Sequence, residues 1–257
     1  MPRAFTRAVS PRLAECALTH LERSPIDTVR AAEQHGKYEQ ALKDAGLDVI
    51  RLPDLPEDPD AVFVEDTALI LGQHAIITRP GVSSRADETE STAEGLRAFF
   101  TIHRLAAGTL DGGDVLRIAD RLYVGQSSRT DPMGTAALAD AVAPLGFSVV
   151  PVELSRCLHL KTAVTFAGLD RDGRATLLVN PNWVDPDRFA GTDPVCTADR
   201  ESSAGNCVRA GDRLIMAAGS PRTVARLRDR GFKVVEVELS ELQKAEAGGT
   251  CMSLIAD

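Results

Sequence analysis

Three stretches of this chain end almost alike: Gly46-Leu47-Asp48-Val49-Ile50-Arg51-Leu52, Gly146-Phe147-Ser148-Val149-Val150-Pro151-Val152 and Gly231-Phe232-Lys233-Val234-Val235-Glu236-Val237. Each follows a helical stretch. Before the first, Tyr38, Ala41, Leu42 and Ala45 fall at i, i+3, i+4 and i+7 on one helix face; before the others come Thr135 to Leu145 and Thr223 to Arg230. The glycine fits the left-handed position just past a helix end, and a β-branched strand follows it. Upstream lie paired apolar runs with a short turn between them. These are Thr67–Leu71 with His74–Thr78 around Gly72-Gln73, Val115–Ile118 with Arg121–Val124 around Ala119-Asp120, and Cys207–Arg209 with Arg213–Met216 around Gly211-Asp212. The unit is strand, strand, helix, strand, recurring every ~45–50 residues, so the chain holds about five.

A repeat of this size builds an open solenoid or a closed ring. A solenoid needs polar capping units, and neither end of the chain supplies one. The pattern therefore predicts an α/β ring of five units in one domain spanning residues 1–257. In a ring the first and last units are neighbours, so segments near positions 60, 111, 159 and 251 can meet at one centre.

Composition narrows the function. The formal net charge is -8 and aromatic residues make up 4%, with no basic stripe, which argues against nucleic-acid binding. No apolar run is long enough to span a bilayer, and Met1–Arg7 leads into no apolar signal core. The expectation is a cytoplasmic protein that binds neither membrane nor nucleic acid. Five cysteines (Cys16, Cys157, Cys196, Cys207, Cys251) are scattered without Cys-x-x-Cys spacing, which speaks against a disulfide framework and a zinc ribbon.

Cys251 stands apart because it follows Gly248-Gly249-Thr250 near the chain end, where glycines allow backbone to close around a reacting atom. A buried structural cysteine is the ordinary alternative. His159, in Leu158-His159-Leu160-Lys161-Thr162, and the acidic turn Asp111-Gly112-Gly113-Asp114 supply the remaining ingredients of an activated thiol. In Asp60-Ala61-Val62-Phe63-Val64-Glu65-Asp66 an apolar strand ends in two carboxylates. Buried acids require a cation or donors, and a guanidinium ligand supplies both. Arg85 and Arg129 follow matching hairpins and can jointly clamp a carboxylate.

Six motifs in order carry a family resemblance: Phe63-Val64-Glu65-Asp66, Ile76-Ile77-Thr78-Arg79-Pro80-Gly81, Leu110-Asp111-Gly112-Gly113-Asp114, His159-Leu160-Lys161-Thr162, Asn206-Cys207 and Cys251-Met252-Ser253. From about Phe5 to Ile255 the chain resembles the dimethylarginine dimethylaminohydrolases (dimethylargininases) of the guanidine-modifying superfamily. The resemblance implies the five-bladed α/β-propeller, or pentein, fold. It also implies hydrolysis of Nω,Nω-dimethyl-L-arginine and the monomethyl form to L-citrulline plus dimethylamine or methylamine.

By the same resemblance Cys251 is the nucleophile, His159 the general acid/base, and Asp111 the group that orients the histidine. Some bacterial relatives carry glutamate where this chain has Asp111, whose arm is shorter. Glu65 and Asp66 hold the guanidinium, Asp60 and the Leu18 backbone hold the α-amino group, and Arg85 and Arg129 hold the α-carboxylate. Ala245 is a further substrate-binding position. No cofactor or metal is needed, although zinc can inhibit by capturing the Cys251 thiolate. The expected partner is a small methylated arginine, bound by a monomer or homodimer. Arginine or agmatine deiminase, a non-catalytic binder of cationic amino acids, and a metal site at His159, Asp111 and Cys251 are the rival readings.

Overall fold

The computed structural model describes residues 1–154 and 156–256. They form five three-stranded sheets of one pattern, an antiparallel strand pair plus a third strand parallel to the pair's second. The first blade joins the two ends of the chain: β1 (Arg3–Thr6) lies between β2 (Asp48–Arg51), parallel, and β15 (Leu254–Ala256), antiparallel. The second is β3 (Ala68–Leu71), β4 (His74–Ile77) and β5 (Thr101–Arg104). The third is β6 (Val115–Ile118), β7 (Arg121–Gln126) and β8 (Ser148–Glu153). The fourth is β9 (Val164–Leu169), β10 (Ala175–Val179) and β11 (Asp193–Cys196). The fifth is β12 (Val208–Ala210), β13 (Arg213–Ala217) and β14 (Lys233–Val237). The first strand of each blade faces inward, β15 against β3, β6 against β9 and β9 against β12. This is the five-bladed α/β propeller that the repeat predicts.

The apolar core is divided among the blade boundaries. One cluster joins the fifth blade to the first through the helix Thr28–Asp44, with Tyr38 and Leu42 against Val208, Ile215 and Val237. Ala86–Leu96 seals the first to the second, Pro132–Val142 the second to the third, and Pro221–Asp229 the fourth to the fifth. Among the described residues, the boundary between third and fourth has no such helix. Val184 and Phe189, around the short turn Pro186–Arg188, pack there against Tyr123, Leu160 and Leu177. The fourth unit thus departs from the strand, strand, helix, strand expectation. Gly46, Gly146 and Gly231 do take φ of +88°, +84° and +92° past their helices, a conformation open to glycine at little steric cost.

Each inner strand is preceded by a single helical turn: Val64–Thr67, Gly112–Asp114, Leu160–Ala163, Ser202–Gly205 and Thr250–Met252. Ring symmetry therefore brings five turns to one end of the axis. The expected strand over Val62–Val64 is not formed; those residues lead into the first of these turns. Arginines from elsewhere satisfy carbonyls in and beside this stretch. Arg7 Nη1 donates to Ala61 O at 3.2 Å and Arg85 Nη2 to Phe63 O at 2.9 Å, which lets irregular backbone be buried.

One buried titratable group makes the fold acid-sensitive. His35 is 2% exposed, and its Nε2 has no hydrogen-bond partner among the described residues. Burial pulls its pKa down to about 4, against the pull of Glu39, whose Oε1 lies 3.8 Å from Nδ1. Its folded pKa lies below the unfolded value of ~6.5. The unfolded chain therefore gains a proton that the folded chain refuses as pH falls from ~6.5 to ~4, at a cost reaching about 3 kcal/mol. His35→Leu should melt above the parent at pH 5, by a margin that shrinks toward pH 7.5. A margin independent of pH would contradict this account.

Candidate active site

The entry turns of the second, third, fourth and first blades, with the residues that cap them, carry Glu65 and Asp66, Asp111 to Asp114, His159, and Cys251. Close approach between turns fixes the glycines. A Cβ on Gly113 would lie 2.6 Å from His159 Nδ1 and 2.9 Å from Asp66 Oδ1, and one on Gly112 would lie 2.0 Å from Glu65 O. The Asp111-Gly112-Gly113-Asp114 motif is thus a packing surface for its neighbours as well as a sharp turn.

His159 is buried with its Nε2–H donating to Asp111 Oδ2 at 3.0 Å and its Nδ1 3.8 Å from Asp66 Oδ1. Burial alone would lower its pKa. The charges of Asp66, Asp114 and Asp111, with the Asp111 hydrogen bond, outweigh burial and raise it to about 9. The imidazolium therefore predominates at neutral pH. Asp111 is 0% exposed, takes Gly81 N–H on Oδ1 at 2.8 Å and has Arg129 Nη1 3.6 Å from Oδ2. The shorter aspartate arm reaches the histidine.

Asp114 braces the same region. Its Oδ1 accepts Leu160 N–H at 2.9 Å, and its Oδ2 accepts Ser127 Oγ and Thr130 Oγ1 at 2.6 and 2.7 Å. Burial raises its pKa, partly offset by His159.

Cys251 is partly exposed, and Gly248 N–H points at its Sγ from 3.4 Å. Burial, with the charges of Glu65 and Asp66, pushes the thiol up to about 12; the Gly248 N–H and Lys161 oppose this. The Cys251 loop is tied down by Asn206, whose Oδ1 accepts Thr250 N–H at 3.0 Å and whose Nδ2 donates to Thr250 Oγ1 at 2.8 Å and to Lys161 O at 2.9 Å. Thr250 Oγ1 in turn donates to Glu65 Oε2 at 2.7 Å, and Lys161 Nζ lies 2.5 Å from Glu65 Oε1. Burial raises the Glu65 pKa, with Lys161 and Thr250 acting against it.

The two arginines are not equivalent. Arg85 is 3% exposed. Its Nη1 meets Asp66 Oδ2 at 2.6 Å, its Nε and Nη2 meet Glu88, and its Nη2 also meets Phe63 O. Four of its five N–H groups thus have protein acceptors, leaving one Nη1–H for a ligand. Burial favours the neutral form of Asp66, yet His159 and Arg85 hold it below the ordinary carboxylate range. Arg129 instead donates from Nη2 to Thr19 Oγ1 at 2.9 Å. Asp60 receives Ala17 N–H on both oxygens at 3.2 and 3.1 Å, and burial raises its pKa against Arg85 and Arg129. Residues 17–19 are thereby set beside Asp60 and Arg129, and Leu18 and Ala245 pack on one cluster.

The ligand atoms of Asp66, Asp111 and His159 lie within 4.8 Å of one another. Cys251 does not belong to that group, so the proposed metal set of His159, Asp111 and Cys251 is not the one the fold assembles.

Glu88 and Lys161 were not among the sequence candidates, and Asp114 entered only as part of the acidic turn. Arg85-x-x-Glu88 spacing and the position of Lys161 two residues past His159 were the available signals.

No family model matches the chain. It is 40% identical over 255 residues to N(G),N(G)-dimethylarginine dimethylaminohydrolase of Streptomyces coelicolor, covering 98% of this chain and 96% of that protein. The fold superposes on the enzyme of Pseudomonas aeruginosa, solved as a cysteine-to-serine variant with citrulline, with a TM-score of 0.92 and 34% identity, covering 99% of this chain and 98% of that one. A dimethylarginine dimethylaminohydrolase adduct with S-methyl-L-thiocitrulline gives 0.91 at 35% identity over the whole of both chains. The chain belongs to the dimethylarginine dimethylaminohydrolase family.

Proposed function

We propose that the chain hydrolyses Nω,Nω-dimethyl-L-arginine and Nω-monomethyl-L-arginine to L-citrulline and dimethylamine or methylamine. The observation that carries this reading is the Cys251 thiol set among the buried acids Glu65 and Asp66, with a charged histidine held on Asp111. A guanidinium adds positive charge beside the sulfur, and its arrival neutralises the acids that keep Cys251 protonated.

In this reading the docking guanidinium drives the Cys251 proton to solvent, and the thiolate so formed attacks the guanidinium carbon to give a tetrahedral adduct. The His159 imidazolium gives its proton to the departing amine as the C–N bond breaks, leaving an S-alkylthiouronium on Cys251. Now neutral, His159 takes a proton from water, whose oxygen attacks the same carbon. Cleavage of the C–S bond, with the hydroxyl proton passing to solvent or the released amine, frees citrulline and restores the thiolate. Asp111 keeps the imidazole ring oriented throughout. Glu65 and Asp66 hold the guanidinium, Asp60 and the Leu18 backbone the α-amino group, Arg85 and Arg129 the α-carboxylate, and Ala245 lies along the substrate.

The reaction uses no cofactor, and zinc captured by the thiolate would inhibit it. The enzyme acts on a free small molecule, as a monomer or homodimer in the cytoplasm. Among the described residues no helix is long and apolar enough to cross a membrane.

Citrulline release from dimethylarginine, monomethylarginine, arginine and agmatine tests the reading. Turnover of the methylated arginines, with arginine and agmatine slower by about 100-fold or more in kcat/KM, is the expected result. Preferred turnover of arginine would make the protein a deiminase. Tight binding of these ligands without turnover would make it a binding protein.

A further inference from the structure

Glu246 combines two features that the reaction scheme leaves unused. It lies on the nucleophile loop, five residues before Cys251, and it holds a left-handed backbone at φ +61° without being glycine. Such a conformation persists when surrounding contacts over-determine it. Here those contacts converge on the carboxylate. Oε1 accepts Thr19 N–H at 3.2 Å, His20 N–H at 2.5 Å and Leu21 N–H at 2.6 Å, and Oε2 accepts Thr19 N–H at 3.0 Å. Three successive amides pointing at one anion form an anion nest, filled by a side chain of the same protein.

The segment that Glu246 grips has no helix or strand between residues 16 and 27. Its two ends are fastened by other groups. Asp60 takes Ala17 N–H, Arg23 donates to Ala14 O and Cys16 O, Lys244 Nζ donates to Pro25 O, and Glu241 takes Asp27 N–H. Among the described residues, Glu246 alone accepts the backbone N–H groups of 19–21. Leu21, 51% exposed, has little packing to hold it in place. The gripped residues face the reacting loops. His20 and Leu21 share a cavity of about 220 Å³ with Leu158, Thr162, Gly248 and Gly249. Thr19 also accepts from Arg129, which leans on Asp111.

We propose that Glu246 is a positioning residue that holds residues 19–21 as a strap over the substrate's amino-acid end and so sets Thr19 against Arg129. This inference rests on the methylarginine reading. Fastening the strap in advance spares the bound complex the entropy of ordering it. The strap is held equally before and during the chemical step, so its loss weakens binding and leaves the rate of the bound complex nearly unchanged.

Glu246→Gly removes the carboxylate while leaving a residue that accepts positive φ, and Glu246→Gln keeps the shape and one acceptor oxygen. Hydrogen exchange of the full chain and steady-state kinetics with dimethylarginine are measured on both variants and the parent. Glu246→Gly is expected to speed exchange at 19–21 by about 10-fold or more, with the helix Thr28–Asp44 unchanged. It should raise KM by about 10-fold with kcat within about threefold of the parent, and Glu246→Gln should fall between. Unchanged exchange at 19–21 would overturn the proposal. So would a freed strap with unchanged KM, or a loss confined to kcat with faster exchange everywhere. A parent protein that releases no citrulline would defeat the functional reading instead, and the exchange at 19–21 would then decide the strap by itself.

Discussion

Cys251→Ser should lower kcat for dimethylarginine by about 10⁴-fold or more while leaving the fold and substrate binding in place. The reason lies in how the thiol is held. In the free protein burial and the charges of Glu65 and Asp66 push Cys251 up to about 12. A hydroxyl, with a still higher intrinsic pKa, cannot be ionised by the same means. The same electrostatics make the native thiol selective. A neutral haloacetamide meets a protonated sulfur, whereas a haloacetamidine carries the positive charge that draws out the thiolate. The amidine should alkylate Cys251 at pH 7 faster than the amide by about 10-fold or more, as read by intact mass. Equal rates would mean that the ligand's charge does nothing to the thiol.

The second large effect is expected at Asp66. This carboxylate meets Arg85 at 2.6 Å, receives the Gly113 N–H at 3.2 Å and lies 3.8 Å from His159. Asp66→Ala leaves a 3% exposed guanidinium with Glu88 as its remaining ion-pair partner among the described residues and removes the largest favourable charge on the imidazolium. Breaking a buried pair from one side costs about 3–5 kcal/mol. Chemical denaturation should register that loss, and citrulline release should fall by about 10³-fold or more. Asp66→Asn keeps the volume and one acceptor, so it should recover part of the stability and little of the activity. A stable, active Asp66→Ala protein would refute the assignment of this carboxylate to both tasks.

What could be read along the chain was what local chemistry dictates. Gly46, Gly146 and Gly231 mark helix ends because the αL position selects them, and the hairpins show through their apolar alternation. The order of segments around the ring then placed Asp111, His159 and Cys251 at one end of the axis. The parts that stayed hidden depend on distant partners. Val62-Phe63-Val64 has the composition of a strand, yet Arg7 and Arg85 satisfy the carbonyls around it and turn it into a buried bend. The fourth blade lost its helix because Val184 and Phe189 fill the boundary from an irregular segment, which has no periodicity to detect. Arg85 and Arg129 look equivalent along the chain, and only the fold reveals that Asp66 and Glu88 already occupy one of them.

Covalent chemistry at Cys251 is the centre of this account. Protein turning over dimethylarginine is quenched in acid within the first turnover, digested, and examined by mass spectrometry. The account predicts a Cys251 peptide heavier by the substrate less dimethylamine, absent without substrate and absent in Cys251→Ser. Citrulline formed at full rate with Cys251 never modified, or with the adduct on another residue, would contradict it.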